Sequence, residues 1–115
     1  MICGTCTLPG NECACVAQGA FAKFNAGKIR YSLVDASALR LLVEVLEHGA
    51  KKYAPDNWKR VADDWLTVYG DAMMRHYEAR RAGEVLDADS GLRHTGHMLC
   101  CAMFIAALDL ARASS

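Results

Sequence analysis

Apolar residues recur at the three-and-four spacing of an amphipathic helix in three separate stretches of this 115-residue chain. The first stretch runs from Ala36 to about His48, with Leu39, Leu42, Val43 and Leu46 on one stripe. Asp35 or Ser37 is placed to cap its start and Gly49 to stop it. A second helix is expected from about Asp63 to Ala82, where Trp65, Tyr69, Ala72, Met73 and His76 share a face and Gly83 follows as terminator. Gly70 costs its interior some helix propensity. The third begins after Asp89 or Ser90, either of which can cap it, and carries Leu92, Leu99, Met103, Ala106 and Leu110. Between the first two, Pro55, Asp56 and Asn57 predict a turn edged by Tyr53 and Trp58. Strand-like alternation is absent, so the pattern predicts an all-α helical bundle. Three helices of this size bury a modest core, and the surplus of apolar residues predicts that oligomerisation completes it.

Composition narrows the partners. Apolar residues make up 53% of the chain, while 13 basic and 13 acidic side chains leave no net charge. That balance excludes strong general attraction to nucleic acid or to an anionic membrane surface. No uncharged stretch approaches the roughly 20 residues of a membrane span. The N-terminal residues lack the basic flank and continuous apolar core of a secretory signal, which predicts a cytoplasmic, reducing compartment. The six cysteines are then expected as thiols or metal ligands. Cys3, Cys6, Cys13 and Cys15 fall in a Cys-rich tail, residues 1–26, and supply the four thiolates of a tetrahedral Zn²⁺ site. The second pair is CxC and not CxxC, and a metal-free tail is the competing reading. Cys100 and Cys101, inside MLCCAMFIAAL, read as small hydrophobes of the core.

Chemistry enters where helix geometry makes polar groups converge. Glu44 and Glu47 share a face, with His48 four residues after Glu44, and paired carboxylates suit a hard cation such as Mg²⁺. A solvated acidic edge is the bland alternative. Glu84, Asp87 and Asp89 precede the third helix, and His94 and His97 stand three apart at its start. Those histidines share a face with Cys101, while Leu92, Leu99 and Met103 belong largely to another, so a metal or phosphate site competes with ordinary capping or core roles. His76, beside Arg75 on an apolar face, must find a polar partner.

Three blocks carry a family likeness: the GAKKYAPDNW loop, DAxxRH with Asp71, Arg75 and His76, and the Glu/Asp/His block from Gly83 to His97. From about Gly27 to Leu110 the chain resembles the phage-encoded dATP/dGTP diphosphohydrolases, a branch of the all-α, MazG-like nucleoside triphosphate pyrophosphohydrolases. The resemblance implies a domain over residues 27–115, a helical bundle forming a homodimer or homotetramer. It also implies Mg²⁺ or Mn²⁺ and hydrolysis of a purine (deoxy)nucleoside triphosphate, dGTP or dATP, to monophosphate and pyrophosphate.

The wider group holds metal with Glu-x-x-Glu on one helix and Glu-x-x-Asp on the next. Glu44 and Glu47 match the first half. The second is open between Glu84 with Asp87, which keep the spacing but sit in a turn, and Asp89 with His94 and His97. Glu44, Glu47, Glu84, Asp87 and Asp89 are thus the candidate metal ligands, and Glu44, Glu47, Asp87 and His97 the candidate catalytic set. For substrate, Lys52 and Arg75 suit phosphate oxygens, Asn57 a base edge, and Tyr53 or Trp58 a stacked purine, with His76 and His94 nearby. Two other classes compete. A ferritin-like metal protein would need Glu-x-x-His on two helices, which is absent. A small zinc-stabilised helical interaction module would rest on the tail thiols and show no melting shift with dGTP and Mg²⁺.

Overall fold

The computed structural model describes residues 26–112. By backbone contacts the chain divides into two units, residues 1–33 and 34–115. The described part of the first is a turn at Gly27, with positive φ, and a 3-10 turn over Tyr31–Leu33. The Cys-rich tail, with the Zn²⁺ expected on Cys3, Cys6, Cys13 and Cys15, lies outside the described residues.

The second unit contains three helices among the described residues: α1 over Ala36–Lys52, α2 over Trp65–Arg81 and α3 over His94–Arg112. A 3-10 turn over Asn57–Arg60 lies between the first two. The expected all-α character holds; an isolated bridge between Leu86 and Arg93 is the extended pairing among these residues. α3 packs against both α1 and α2 and against the 3-10 turn, so it is the shared wall of the bundle. By length and composition α3 would also pass as a membrane span, and here it packs against both other helices.

Asp35 caps α1 as expected, accepting from the Ala38 amide at 3.0 Å and from the Ser37 hydroxyl. Its carboxyl is held below the ordinary aspartate range by the Ser37 hydroxyl first and the Ala38 amide second. Gly49 does not stop the helix. It keeps a helical backbone, its carbonyl accepts from the Tyr53 amide at 2.9 Å, and α1 therefore runs to Lys52. The buried side of α1 also differs from the expected stripe: Val45 is buried, while Leu39 and Val43 remain 48% and 43% exposed. The cause lies on α3. A Cβ added at Gly96 would stand 3.1 Å from the Leu41 carbonyl oxygen and 3.2 Å from a Val45 methyl, so the bare backbone of Gly96 draws the Leu41/Val45 side inward.

On α2 the expected face is the one turned inward: Trp65, Tyr69, Ala72, Met73 and His76 are half-buried, while Leu66, Met74 and Tyr77 are exposed. Gly83, at φ 106°, ends the helix, and the Glu84 amide reaches back to the Ala79 carbonyl at 3.0 Å. α3 starts later than Asp89 or Ser90 predicts. Residues 85–93 form a tight loop in which the Asp87 amide donates to the Leu92 carbonyl at 2.7 Å and the His94 amide to that of Val85 at 3.0 Å. Its Leu-rich stripe is not the buried one either: Leu99 and Leu110 are exposed, whereas His94, Gly96, Cys100, Cys101 and Leu108 are buried. Small residues allow the close helix approach, and Leu108 is the leucine buried with them, while Leu99 and Leu110 fall outside it. Cys100 and Cys101 are core thiols, as their apolar surroundings predict; burial pushes Cys100 up to about 12 and moves Cys101 upward too.

Candidate functional site

A cavity of about 810 Å³ opens in the second unit, in the range of small-ligand sites. Three segments build its walls: the end of α1 with the loop that follows, the inner face of α2, and the 85–94 loop with the first turns of α3. Lys52, Tyr53, Asn57, Trp58, Arg75, His76, Asp87, Asp89, His94 and His97 all border it. These ten residues come from sequence blocks up to 45 positions apart (Lys52 to His97), and folding brings them to one space. Glu44, Glu47 and Glu84 do not line it. Glu44 instead pairs with Arg40 one turn earlier, at 3.7 Å, and Glu47 is exposed.

The loop side of the cavity is pinned by aromatic packing. Asp56 adopts a left-handed backbone, φ 63°, which turns the chain into the Asn57–Arg60 3-10 turn; Asp tolerates this region better than most residues. The Trp58 ring then stacks on Phe104 of α3, centroids 4.5 Å apart, and Tyr69 of α2 tilts against the same Phe104 ring at 4.9 Å. The Tyr69 hydroxyl donates to the Trp58 carbonyl at 2.8 Å. Farther along, the Arg112 guanidinium donates to the carbonyls of Ala62 and Lys59 at 3.0 and 2.9 Å. One face of the Trp58 ring is therefore taken, while Tyr53 stays 64% exposed at the rim. The sequence offered no cue to Phe104 or Tyr69 as the residues that fix Trp58, because their meeting depends on how three helices pack.

The opposite side is polar. Nδ1 of His76 lies 2.8 Å from Nδ1 of His94, and the His76 ring stacks on His97 with centroids 4.4 Å apart and planes 6° from parallel. His97 Nε2 is 2.7 Å from the Ser90 hydroxyl and 3.8 Å from the Asp87 carboxylate. Asp87 also accepts from the Ser90 amide at 3.0 Å, and the Leu92 amide donates to the Ser90 hydroxyl at 3.1 Å. Ser90 is thus the organiser of this corner, in place of the helix cap that its sequence position suggested, since α3 begins only at His94. Its spacing three residues after Asp87 was the local signal.

His94 is 3% exposed, and its Nε2 has no hydrogen-bond partner; the Glu84 carboxylate stands 3.5 Å away. Burial lowers the pKa of His76 below the ordinary histidine value, against the opposing pull of Asp87. It also lowers that of His97, with the neighbouring His76 adding to the effect. Asp87 moves down: burial opposes this, but the Ser90 amide and hydroxyl and the two histidines outweigh it. Burial thus favours the neutral imidazoles of His76 and His97 beside the ionised Asp87 carboxylate, a donor set suited to a cation.

Comparison with known proteins gives a consistent family. A family model described as dATP/dGTP diphosphohydrolase, N-terminal, matches residues 18–114. A dATP/dGTP diphosphohydrolase of Salmonella phage PMBT28 is 32% identical over 83 residues, which make up 72% of this chain and 28% of that relative. The chain thus spans little more than a quarter of the length of that relative. No solved structure matches.

Proposed function

This chain belongs to the dATP/dGTP diphosphohydrolase family, and on that premise we propose that its cavity binds a purine deoxynucleoside triphosphate and hydrolyses it to the monophosphate and pyrophosphate. One observation carries the reading: Lys52 and Arg75, the acids Asp87 and Asp89, and the exposed ring of Tyr53 meet around a single cavity of nucleotide-compatible size. Arg75 offers a planar fork and Lys52 a point charge to the β and γ oxygens. Tyr53 is the stacking surface in this reading, because Phe104 already occupies one face of Trp58. Asn57, also on the rim, supplies the donor and acceptor pair for a base edge.

Water attacks the α phosphorus, the α–β anhydride bond breaks, and pyrophosphate leaves with the bridging oxygen. Asp87 and Asp89 are the oxygen donors best placed to hold Mg²⁺ or Mn²⁺, which would neutralise charge on the phosphates. Asp87, kept ionised by Ser90, and neutral His97 then face the reacting end as a carboxylate and an imidazole able to accept a proton from water. Glu44 and Glu47 are the rival metal pair from the sequence, and their place outside the cavity lining puts them second.

The apolar residues left outward on the helices, among them Leu39 and Val43 on α1 and Leu66 and Met74 on α2, support a homodimer or homotetramer, which light scattering would measure. Incubation with each common NTP and dNTP plus Mg²⁺ or Mn²⁺, followed by product separation, tests the reaction. Monophosphate with pyrophosphate, fastest from dGTP or dATP, is the expected result. Diphosphate with orthophosphate would contradict the bond named, and the absence of any nucleotide turnover or thermal shift would favour the interaction-module alternative.

A further inference from the structure

We propose that His76, His94 and Asp87 form a site for a divalent transition-metal ion of the zinc class, bound through two imidazole nitrogens and one carboxylate oxygen, with Glu84 orienting His94. Candidate donor atoms of these three residues lie within 4.8 Å of one another. The closest pair, the two Nδ1 atoms at 2.8 Å, is near the separation of about 3 to 3.5 Å that follows for two ligands each about 2.0–2.1 Å from a shared metal. A small opening of the two rings would therefore admit an ion.

Tautomer logic gives the second argument. Without an ion, two Nδ1 atoms at this distance hold one proton between them. With the proton on His76, His94 carries its own on Nε2, and that atom is buried with the Glu84 carboxylate as its neighbour at 3.5 Å. A carboxylate facing the N–H on the far side of the ring is the arrangement that fixes a metal-ligating imidazole. An ion would take the place of the shared proton, which His76 retains by moving it to Nε2. The parallel stack on His97 holds the plane of His76 ready for this.

The donor set decides the class of ion. Mg²⁺ prefers oxygen and retained water, whereas imidazole suits zinc, nickel and copper-like ions. Two nitrogens and one carboxylate leave a position for water, as in catalytic zinc sites. The site shares Asp87 with the hydrolysis reading but does not depend on it, since the ion needs no nucleotide to bind.

The test uses the full chain with Cys3, Cys6, Cys13 and Cys15 each changed to Ser, so that tail thiolates cannot compete for the metal. After chelator treatment, calorimetric titration with Zn²⁺ in excess Mg²⁺ should show about one ion per chain. His76→Gln and Asp87→Asn should each weaken binding at least about tenfold, and Glu84→Gln should do so to a smaller extent. X-ray absorption of the loaded chain should show nitrogen ligands, a measurement that needs no variant to fold. Failure to bind Zn²⁺ over Mg²⁺, oxygen-only ligation, or unchanged affinity in a folded His76→Gln chain would each overturn the site. Pyrophosphate release with Mg²⁺ is assayed separately: release without Zn²⁺ binding sinks this site and spares the hydrolysis reading, whereas Zn²⁺ binding without turnover does the reverse.

Discussion

The two ends of α3 meet different demands. Toward its C-terminal end, Phe104 and Arg112 close off their surroundings: stacked rings, a Tyr69 hydroxyl on the Trp58 carbonyl, and a guanidinium on two more carbonyls. At its N-terminal end, His94 is buried with one nitrogen unpartnered, and His97 shares a corner with Ser90 and Asp87. The satisfied end fixes where the loop runs. The polar end sets His76, His94, His97 and Asp87 along the cavity wall, where their ring nitrogens and carboxylate can meet a ligand.

Substitutions can break this contrast, and the largest effect is expected at the polar end. Asp87→Asn should lower nucleotide turnover at least about a hundredfold, the scale of losing a central electrostatic contact. Glu47→Gln measured in parallel should cost much less, and the opposite order in the steady-state rates would move the metal to α1. Next comes the helix approach that both ends share. Gly96→Ala forces a methyl to 3.1 Å from the Leu41 carbonyl, and denaturant unfolding should show a loss of about 1–3 kcal/mol. An unchanged midpoint would mean that α1 and α3 can separate freely.

At the satisfied end, Tyr69→Phe deletes the bond to the Trp58 carbonyl while keeping the ring against Phe104. A loss of about 0.5–1.5 kcal/mol in unfolding free energy is expected, with turnover nearly kept once the protein is folded. A turnover loss as deep as that of Asp87→Asn would erase the distinction between the two ends.

The smallest effect is a slope in the pH dependence of metal-free stability. His76 and His97 have lowered values in the folded chain, so below their ordinary range, about 6.5, the unfolded chain takes up protons that the folded one does not. Stability should therefore fall as pH drops through that region and level off below the folded values. Asp87 adds a further loss at more acid pH, where its depressed carboxyl finally protonates. Melting temperatures between neutral pH and pH 5 that do not decline, or a decline unchanged in His97→Gln, would contradict the burial of these rings.

The sequence carried the helices well and their faces less well. The α2 face from Trp65 to His76 was legible because bulky residues mark it. On α3 the buried face is Gly96, Cys100, Cys101 and Leu108, and small residues register weakly in any hydrophobic pattern. Gly49 misled because a glycine stops a helix only when the chain turns left-handed there, as it does at Gly83. The three family blocks converge on one space: GAKKYAPDNW, DAxxRH and the block ending at His97 all supply residues to the cavity wall. Which polar groups touch was beyond reach, since His76 and His94 are 18 positions apart and meet only through the packing of α2 on α3.

The adjacent thiols of Cys100 and Cys101 on the cavity wall have a practical consequence. With Cys100 held near 12, almost none of it is thiolate at neutral pH, and an alkylating reagent should meet it only when the bundle breathes. The labelling rate of the peptide that contains them, followed by mass spectrometry, is therefore a clock for cavity opening. Any ligand that tightens α3 against its neighbours should slow that clock, which gives a screen for cavity ligands that requires no assay of the reaction.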